Sequence, residues 1–416
     1  MKNHSPLRGL NVVDMTEALA GPFCGMLLGD LGADVVKVER PDVGDQSRGW
    51  GPPFLDGESA YFLAVNRNKR SVELDIKNEG DAEVLRRLLR RADVFITNNP
   101  RMSSLERNGL DPPTLHALNP RLVYVAISGY GHSGPKANRS GYDIIAQGEA
   151  GLMALTGEPD GGPSRFPSPM ADISGGVYAT IATLGALYAR DARDADGGGQ
   201  VIDVSLVEAQ ATWLANLAGS YFATGTRPER LGNAHPTVTP YQPVRARDKM
   251  MIIAVGNERL WHRFCRVLGV ESTIMLDARF ATNAQRNLHR SELVELLEEI
   301  LRERDADDWI EAFVAEGIPA GPINFPDDTL TDAHIRAITT LRPMPRRRLP
   351  IIVASPPAPI PRRFIAPCST SCARHTPITS STARPAMSTS TRGSTCTRKI
   401  CSSTACTRER SSTRRR

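Results

Sequence analysis

Cysteine is scarce where a disulfide framework would need it. Of the seven cysteines in 416 residues, Cys368, Cys372, Cys396, Cys401 and Cys406 lie near the C-terminus, leaving only Cys24 and Cys265 before them. Two distant cysteines fit a reducing compartment. No run approaches the roughly 18 apolar residues of a membrane span, and the start, Met1-Lys2-Asn3-His4-Ser5-Pro6, has no apolar leader-like stretch. These absences predict a cytoplasmic protein with no membrane partner. The Gly-x-Gly-x-x-Gly fingerprint is missing as well: the turn after the first predicted strand reads Thr16-Glu17-Ala18-Leu19-Ala20-Gly21-Pro22, so a nicotinamide cofactor is not indicated. Acid is almost absent from one end. Positions 341–416 carry 16 Lys and Arg against the single Glu409, so positions 1–340 hold 35 basic and 45 acidic residues, a net charge of −10 hidden inside the overall +5.

A composition of 40% hydrophobic and 23% charged residues describes a globular chain able to bury a core, and the length allows two domains. Leu10 to Met15 and Asp34 to Glu39 are short Val-rich runs on either side of a helical pattern, Gly21 to Leu31. The alternation continues with strands at Ser71–Asp75, Asp93–Thr97, Leu122–Ala126 and Gln200–Val204, and helices at Asn78–Arg91, Pro113–Leu118, Val177–Tyr188 and Leu206–Leu217. Strands alternating with helices predict an α/β, doubly wound, Rossmann-like parallel sheet in a large domain, residues 1–225. The texture then changes. A polar, irregular stretch from Pro228 to Pro243 opens a smaller α+β domain, residues 226–330, with one strand at Met250–Val255 and helices near Leu260–Leu268, Ser291–Arg304 and Ala306–Glu316.

Loops following such strands line the ligand crevice. Here they carry Arg40, Arg48, Lys69, Arg70 and Arg107 on an otherwise acidic body, which suggests one localised site for a phosphorylated ligand. His132, in the Gly-rich loop Ser128 to Pro135, is a candidate base or a surface residue. Asp172 lies between a Pro-rich loop and the helical pattern Val177, Ile181, Leu184, Tyr188. Such an aspartate is either an N-cap or, with Gly175-Gly176 permitting close backbone approach, a carboxylate nucleophile at the mouth of a cleft.

From Ile338 helical and strand periodicity vanish, and residues 331–416 read as a basic Arg/Ser/Thr/Pro-rich tail. An abrupt change of this kind resembles a GC-rich reading frame translated out of register. The alternative is a disordered basic tail that contacts nucleic acid.

Together the motifs resemble the class III CoA-transferase family, also called formyl-CoA transferase or carnitine dehydratase-like. The resemblance covers residues 6 to about 335 and rests on Leu7-Arg8-Gly9-Leu10, Ala20-Gly21-Pro22, Gly32 to Glu39, Asn68-Lys69-Arg70-Ser71, Gly129-Tyr130-Gly131, Tyr142-Asp143, Asp172, Gly199-Gln200 and Gly317-Ile318-Pro319, in that order. It implies an aspartate nucleophile at Asp172, working through an aspartyl anhydride and an aspartyl-CoA thioester. It places Glu17, Ala18, Arg40, Asn68, Lys69, Arg70 and Arg107 at CoA-contacting positions, with Arg48 and Arg139 as secondary candidates. Gly175, Gly176, Gly256 and Asn257 become candidates for an oxyanion site or a lid, and Tyr142 and His235 for the substrate pocket. It implies an interlocked homodimer, a coenzyme A thioester as substrate together with a small carboxylic acid, and no metal or redox cofactor.

A racemase branch of the same family sets a histidine just before the Asp of the Tyr142-Asp143 motif; here that position is Tyr142, which favours transfer. The stretches around Gly232 to Gln242 and Gly321 to Asn324 look most like members of the succinate–hydroxymethylglutarate CoA-transferase type, which move CoA between dicarboxylic acids. The family's closing Gly-Glu-His-Thr-like motif is not found here, so an inactive member is the third expectation.

Overall fold

The computed structural model describes residues 5–137, 139–193, 197–338, 340–344 and 347–353. Six short segments form strands β1 (Asn11–Met15), β2 (Asp34–Glu39), β3 (Lys69–Glu73), β4 (Val94–Thr97), β5 (Val123–Ser128) and β6 (Val201–Ser205). All pair in parallel, in the spatial order β3-β2-β1-β4-β5-β6. Winding outward from β1 in both directions makes this a doubly wound, Rossmann-like sheet, as the alternation predicted. Every residue of β4 and β5 is buried, which requires helices on both faces. Side chains alternate between two cores: Val94 and Ile96 join Val12, Leu28 and Ile127 on one face, while Phe95 joins Leu85, Leu89 and Tyr124 on the other.

The flanking helices that matter for the site are α1 (Ala20–Asp30), α2 (Glu79–Arg91), α3 (Asp143–Glu149), α4 (Met170–Tyr188), α5 (Leu206–Ala211) and α6 (Ala215–Thr224). The periodicity in α4 pointed to Ile181 and Tyr188 as part of the packed face. The structure turns that face outward: Ser174, Gly175, Gly176, Ala179, Thr183 and Ala186 are buried, and Tyr178, Ile181 and Tyr188 are exposed. The reason is close packing. A Cβ on Gly175 would come within 2.6 Å of Leu206 Cδ2, and one on Gly176 within 2.7 Å of the Ala20 carbonyl oxygen, so the tight side takes small residues only. Against the expectation of no span-like stretch, Met170–Ala192 is long and apolar enough to cross a membrane by length and composition; half of it is buried in protein, as a core helix is.

The smaller unit contains three strands, not the single one predicted. β7 (Tyr241–Arg245), β8 (Met250–Ala254) and β9 (Ala320–Pro322) form an antiparallel sheet in the order β9-β8-β7. The two missed strands lie at the edges and contain Pro243 and Pro322, residues that edges tolerate and that disguise a strand in sequence. Helices α7 (Glu258–Leu268), α8 (Arg290–Leu301) and α9 (Ala306–Ala315) pack on it around Trp261, Phe264, Trp309 and Phe313. The loss of periodicity read from Ile338 also needs correction. Thr340–Met344 and Arg347–Val353 pair antiparallel, the latter ending in the apolar run Leu349 to Val353, whose β-branched residues favour a strand. The remainder of the predicted tail lies outside the described residues.

Candidate active site

The carboxyl ends of β1 and β4 flank the point at which the strand order reverses, and a cleft of about 1230 Å³ opens there. Between β1 and α1 the chain turns through Thr16, Glu17 and Ala18, with Ala18 at a left-handed φ of 69°, a region that residues with a Cβ rarely adopt. The surroundings hold the turn in place. Asp45 Oδ1 accepts from the Ala18 N–H (3.1 Å), Asn98 Oδ1 accepts from the Glu17 N–H (3.2 Å), and Asn98 Nδ2 donates to the Glu17 carbonyl (2.8 Å). Beneath them the buried Lys37 Nζ donates to the Thr16 carbonyl (2.6 Å) and pairs with Asp45 (2.9 Å). Asn98 follows β4, so its hydrogen bonds join both sides of the switch point.

Asp172 is the third residue of α4 and lines this cleft. It is not the N-cap, which is Pro169 and has no side-chain cap bond. The capping oxygen comes from Asp143: its Oδ1 accepts from the Ala171 N–H (2.8 Å) while its Oδ2 accepts from Gln147 Nε2 (2.7 Å). With that role filled, the Asp172 carboxylate makes no hydrogen bond or ion pair among the described residues. Burial, and then the neighbouring Asp143 carboxylate, push it up to about 7. An under-solvated carboxylate of raised basicity is a better nucleophile than a surface aspartate. Tyr61 lies in the same cleft, packed edge-on against Trp50 at 5.1 Å. Its phenol is raised by burial and by the charges of Asp172, Asp143 and Asp45.

Of the expected CoA-contacting residues, Glu17, Ala18 and Arg40 line the cleft, together with Tyr142; Asn68, Lys69, Arg70 and Arg107 do not. The basic loops neutralise themselves locally. Lys69 Nζ is buried and donates to Asp14 Oδ2 (2.8 Å), the Pro22 carbonyl (2.7 Å) and Asn66 Oδ1 (2.8 Å), and burial pulls it down to about 8. Asn68 bonds Asp30 (2.6 Å), Arg70 pairs with Asp34 (2.6 Å), Arg48 with Glu39 (2.7 Å) and Glu58 (2.8 Å), and Arg139 with Glu149 (3.6 Å). Arg40 pairs with Glu17 (2.9 Å) yet stays exposed in the cleft. Arg107 donates to the Ser103 carbonyl (3.2 Å) beside the lining residues Leu105 and Asn108.

Gly175 and Gly176 serve helix packing and are absent from the cleft lining. Asn257 caps α7 by accepting from the Leu260 N–H (3.0 Å), and neither it nor Gly256 lines the cleft. His235 packs at a tilt against Tyr241 (centroids 5.1 Å apart) and accepts at Nδ1 from the Thr237 N–H (3.2 Å), ordering its own loop. His132 is a clasp: one ring nitrogen faces Asp203 Oδ1 (2.9 Å) and the other the Asn99 carbonyl (3.0 Å), and its hydrogen bond to Asp203 raises its pKa. Sequence reasoning missed Asn98, Tyr61, Lys77 and Arg165 as cleft residues, and the capping role of Asp143. Of these only Asp143 carried a signal, as part of the Tyr-Asp motif.

The model of CoA-transferase family III matches residues 7–363. The chain is 42% identical to the succinate–glutarate CoA-transferase of Agrobacterium fabrum over 80% of its own length and 83% of that protein. It is 37% identical to the human succinyl-CoA:glutarate CoA-transferase over 78% of itself and 73% of that protein. The solved structure of a CAIB/BAIF family protein from Brucella suis matches with 44% identity and a TM-score of 0.73, covering 82% of this chain and 90% of that one. With a Rossmann-like sheet, a cleft at its switch point and an unengaged aspartate on the cleft wall, the chain belongs to CoA-transferase family III and is a CoA-transferase.

Proposed function

We propose that the protein moves CoA from succinyl-CoA to a dicarboxylic acid, with Asp172 as the nucleophile. The observation that carries this reading is the Asp172 carboxylate, which lines the cleft free of partners among the described residues while Asp143 performs the capping. Asp172 attacks the thioester carbonyl, the C–S bond breaks, and CoA leaves as its thiolate, giving an aspartyl mixed anhydride. The thiolate attacks the aspartyl carbonyl and releases the donor acid as its carboxylate. The acceptor carboxylate then displaces CoA from the aspartyl thioester to form a second anhydride. Finally the thiolate attacks the acceptor carbonyl and frees Asp172. Arg40 and Lys77 are the cations the cleft offers to the phosphate-bearing end of the ligand.

The named relatives supply the substrate class, since both transfer CoA between succinate and glutarate by name. Among the described residues no histidine lines the cleft, which speaks against a racemase that pairs aspartate with imidazole. The exposed apolar row Tyr178, Ile181 and Tyr188 on α4, with Trp213 and Phe222 beyond α5, offers a surface for a second copy of the chain in an interlocked homodimer. The test is to incubate the enzyme with succinyl-CoA, quench, and map peptides. CoA covalently attached to the peptide containing Asp172, absent from Asp172→Ala, is expected; sustained CoA transfer by Asp172→Ala would overturn the assignment.

A further inference from the structure

Among the described residues seven carboxylates line the cleft (Glu17, Glu39, Asp42, Asp45, Asp75, Asp143 and Asp172) against three cations, Arg40, Lys77 and Arg165. A dicarboxylate adds to that negative charge, and its second carboxylate gains nothing from Asp172 or Asp143. It needs a cation. Arg40 is paired with Glu17. Lys77 follows β3, the strand at the edge of the sheet, and is exposed. Arg165 lies on the loop that runs into α4, and Pro167, Pro169 and Asp172 of the same stretch line the cleft with it.

The loop is built to hold that side chain in register with the nucleophile. On one side of Arg165 the Ser164 N–H donates to the Thr156 carbonyl (3.0 Å); on the other the Phe166 N–H donates to Gln147 Oε1 (2.8 Å). The same Gln147 amide donates to Asp143, which caps the helix carrying Asp172. Arg230 clamps the loop from outside, donating to the carbonyls of Ala154 (3.1 Å), Glu158 (3.3 Å) and Gly161 (2.7 Å). Yet the Arg165 guanidinium itself makes only a 3.4 Å bond to the Pro167 carbonyl and no ion pair among the described residues. A rigid loop presenting an unspent planar fork is suited to a carboxylate.

We infer that Arg165 is the specificity-determining residue that binds the distal carboxylate of the acceptor acid while its proximal carboxylate reacts at Asp172. This rests on the transferase reading given above. The test measures CoA transfer to three five-carbon acceptors, glutarate, its monoamide and valerate, by wild type, Arg165→Gln and Arg165→Lys, with melting curves as a folding control. Arg165→Gln is expected to raise KM for glutarate about tenfold or more, leaving KM for the monoamide, for valerate and for succinyl-CoA within about twofold; Arg165→Lys retains part of the preference. Equal losses on all three acceptors, or a change confined to the succinyl-CoA KM, would overturn the subsite while leaving the transferase intact. If wild type moves CoA to none of them, the transferase reading falls, and the subsite with it.

Discussion

The six-stranded parallel sheet and the three-stranded antiparallel sheet solve the burial problem differently. The antiparallel unit keeps its largest side chains to itself: Trp261, Phe264, Trp309 and Phe313 are at most 2% exposed and stack on one another at 5.0 to 6.1 Å. The parallel unit fills the contact between α1 and α4 with glycine, alanine, serine and threonine and turns Tyr178, Ile181, Tyr188, Trp213 and Phe222 outward, the last 82% exposed. The first core is complete within the chain. The second has traded internal bulk for close helix contact, and that contact sets the start of α4, and with it Asp172, against the switch point. The candidate nucleophile therefore sits in the unit that exposes Tyr178, Ile181, Tyr188, Trp213 and Phe222.

Substitutions at the nucleophile separate the two units most strongly. Asp172→Asn is expected to lower kcat by roughly 10³-fold or more while the protein keeps its fold, as read by coupled transfer assays and circular dichroism. Its stability should rise with pH relative to wild type. Folding raises the Asp172 pKa from 3.8 to about 7, so the stabilisation of the protonated form is fully present below about pH 4 and is lost as pH climbs through 7. The variant should thus be more stable at pH 8, by about 1–3 kcal/mol after discounting for its solvent-facing side, and equal to wild type at pH 4. An unchanged melting temperature at pH 8 would refute the burial argument.

In the other unit the balance is reversed. Trp309→Ala removes a fully packed indole and a 2.9 Å hydrogen bond to the Leu301 carbonyl; a loss of about 3–5 kcal/mol in urea unfolding is expected. Ile181→Asp with Phe222→Asp should leave that antiparallel core intact and instead shift sedimentation of the proposed homodimer toward monomer. Persistence of the dimer would place its interface elsewhere. The smallest effect is electrostatic. If Asp172 attacks in its ionised form, as proposed, kcat/KM for acyl-CoA should fall as pH drops through about 7. Asp143→Asn, which can keep the cap to Ala171 but removes the like charge, should move that limb to lower pH; an upward shift would contradict the coupling.

The parallel strands and α1 were legible because Val-rich runs and apolar periodicity are local properties. The edge strands β7 and β9 were hidden by Pro243 and Pro322, and by having only five and three residues. The partners of the basic loops were illegible for a different reason. Whether Lys69 faces a phosphate or a carboxylate depends on Asp14, 55 positions away, and Arg70 finds Asp34 at a distance of 36; no local pattern contains those partners. The residue that caps α4 was illegible on the same ground, which left Asp172 open between cap and nucleophile, since Asp143 reaches Ala171 across 28 residues.

By itself the order of residues determined the strand–helix alternation and the doubly wound class, and singled out Asp172 as the candidate nucleophile, because periodicity and motif spacing are written along the chain. Tertiary structure decided which charges remain unspent. Pairing is set by distance in space, and among the described residues it leaves Asp172 without a partner, Lys69 with three, and Arg165 with a guanidinium still open to a ligand.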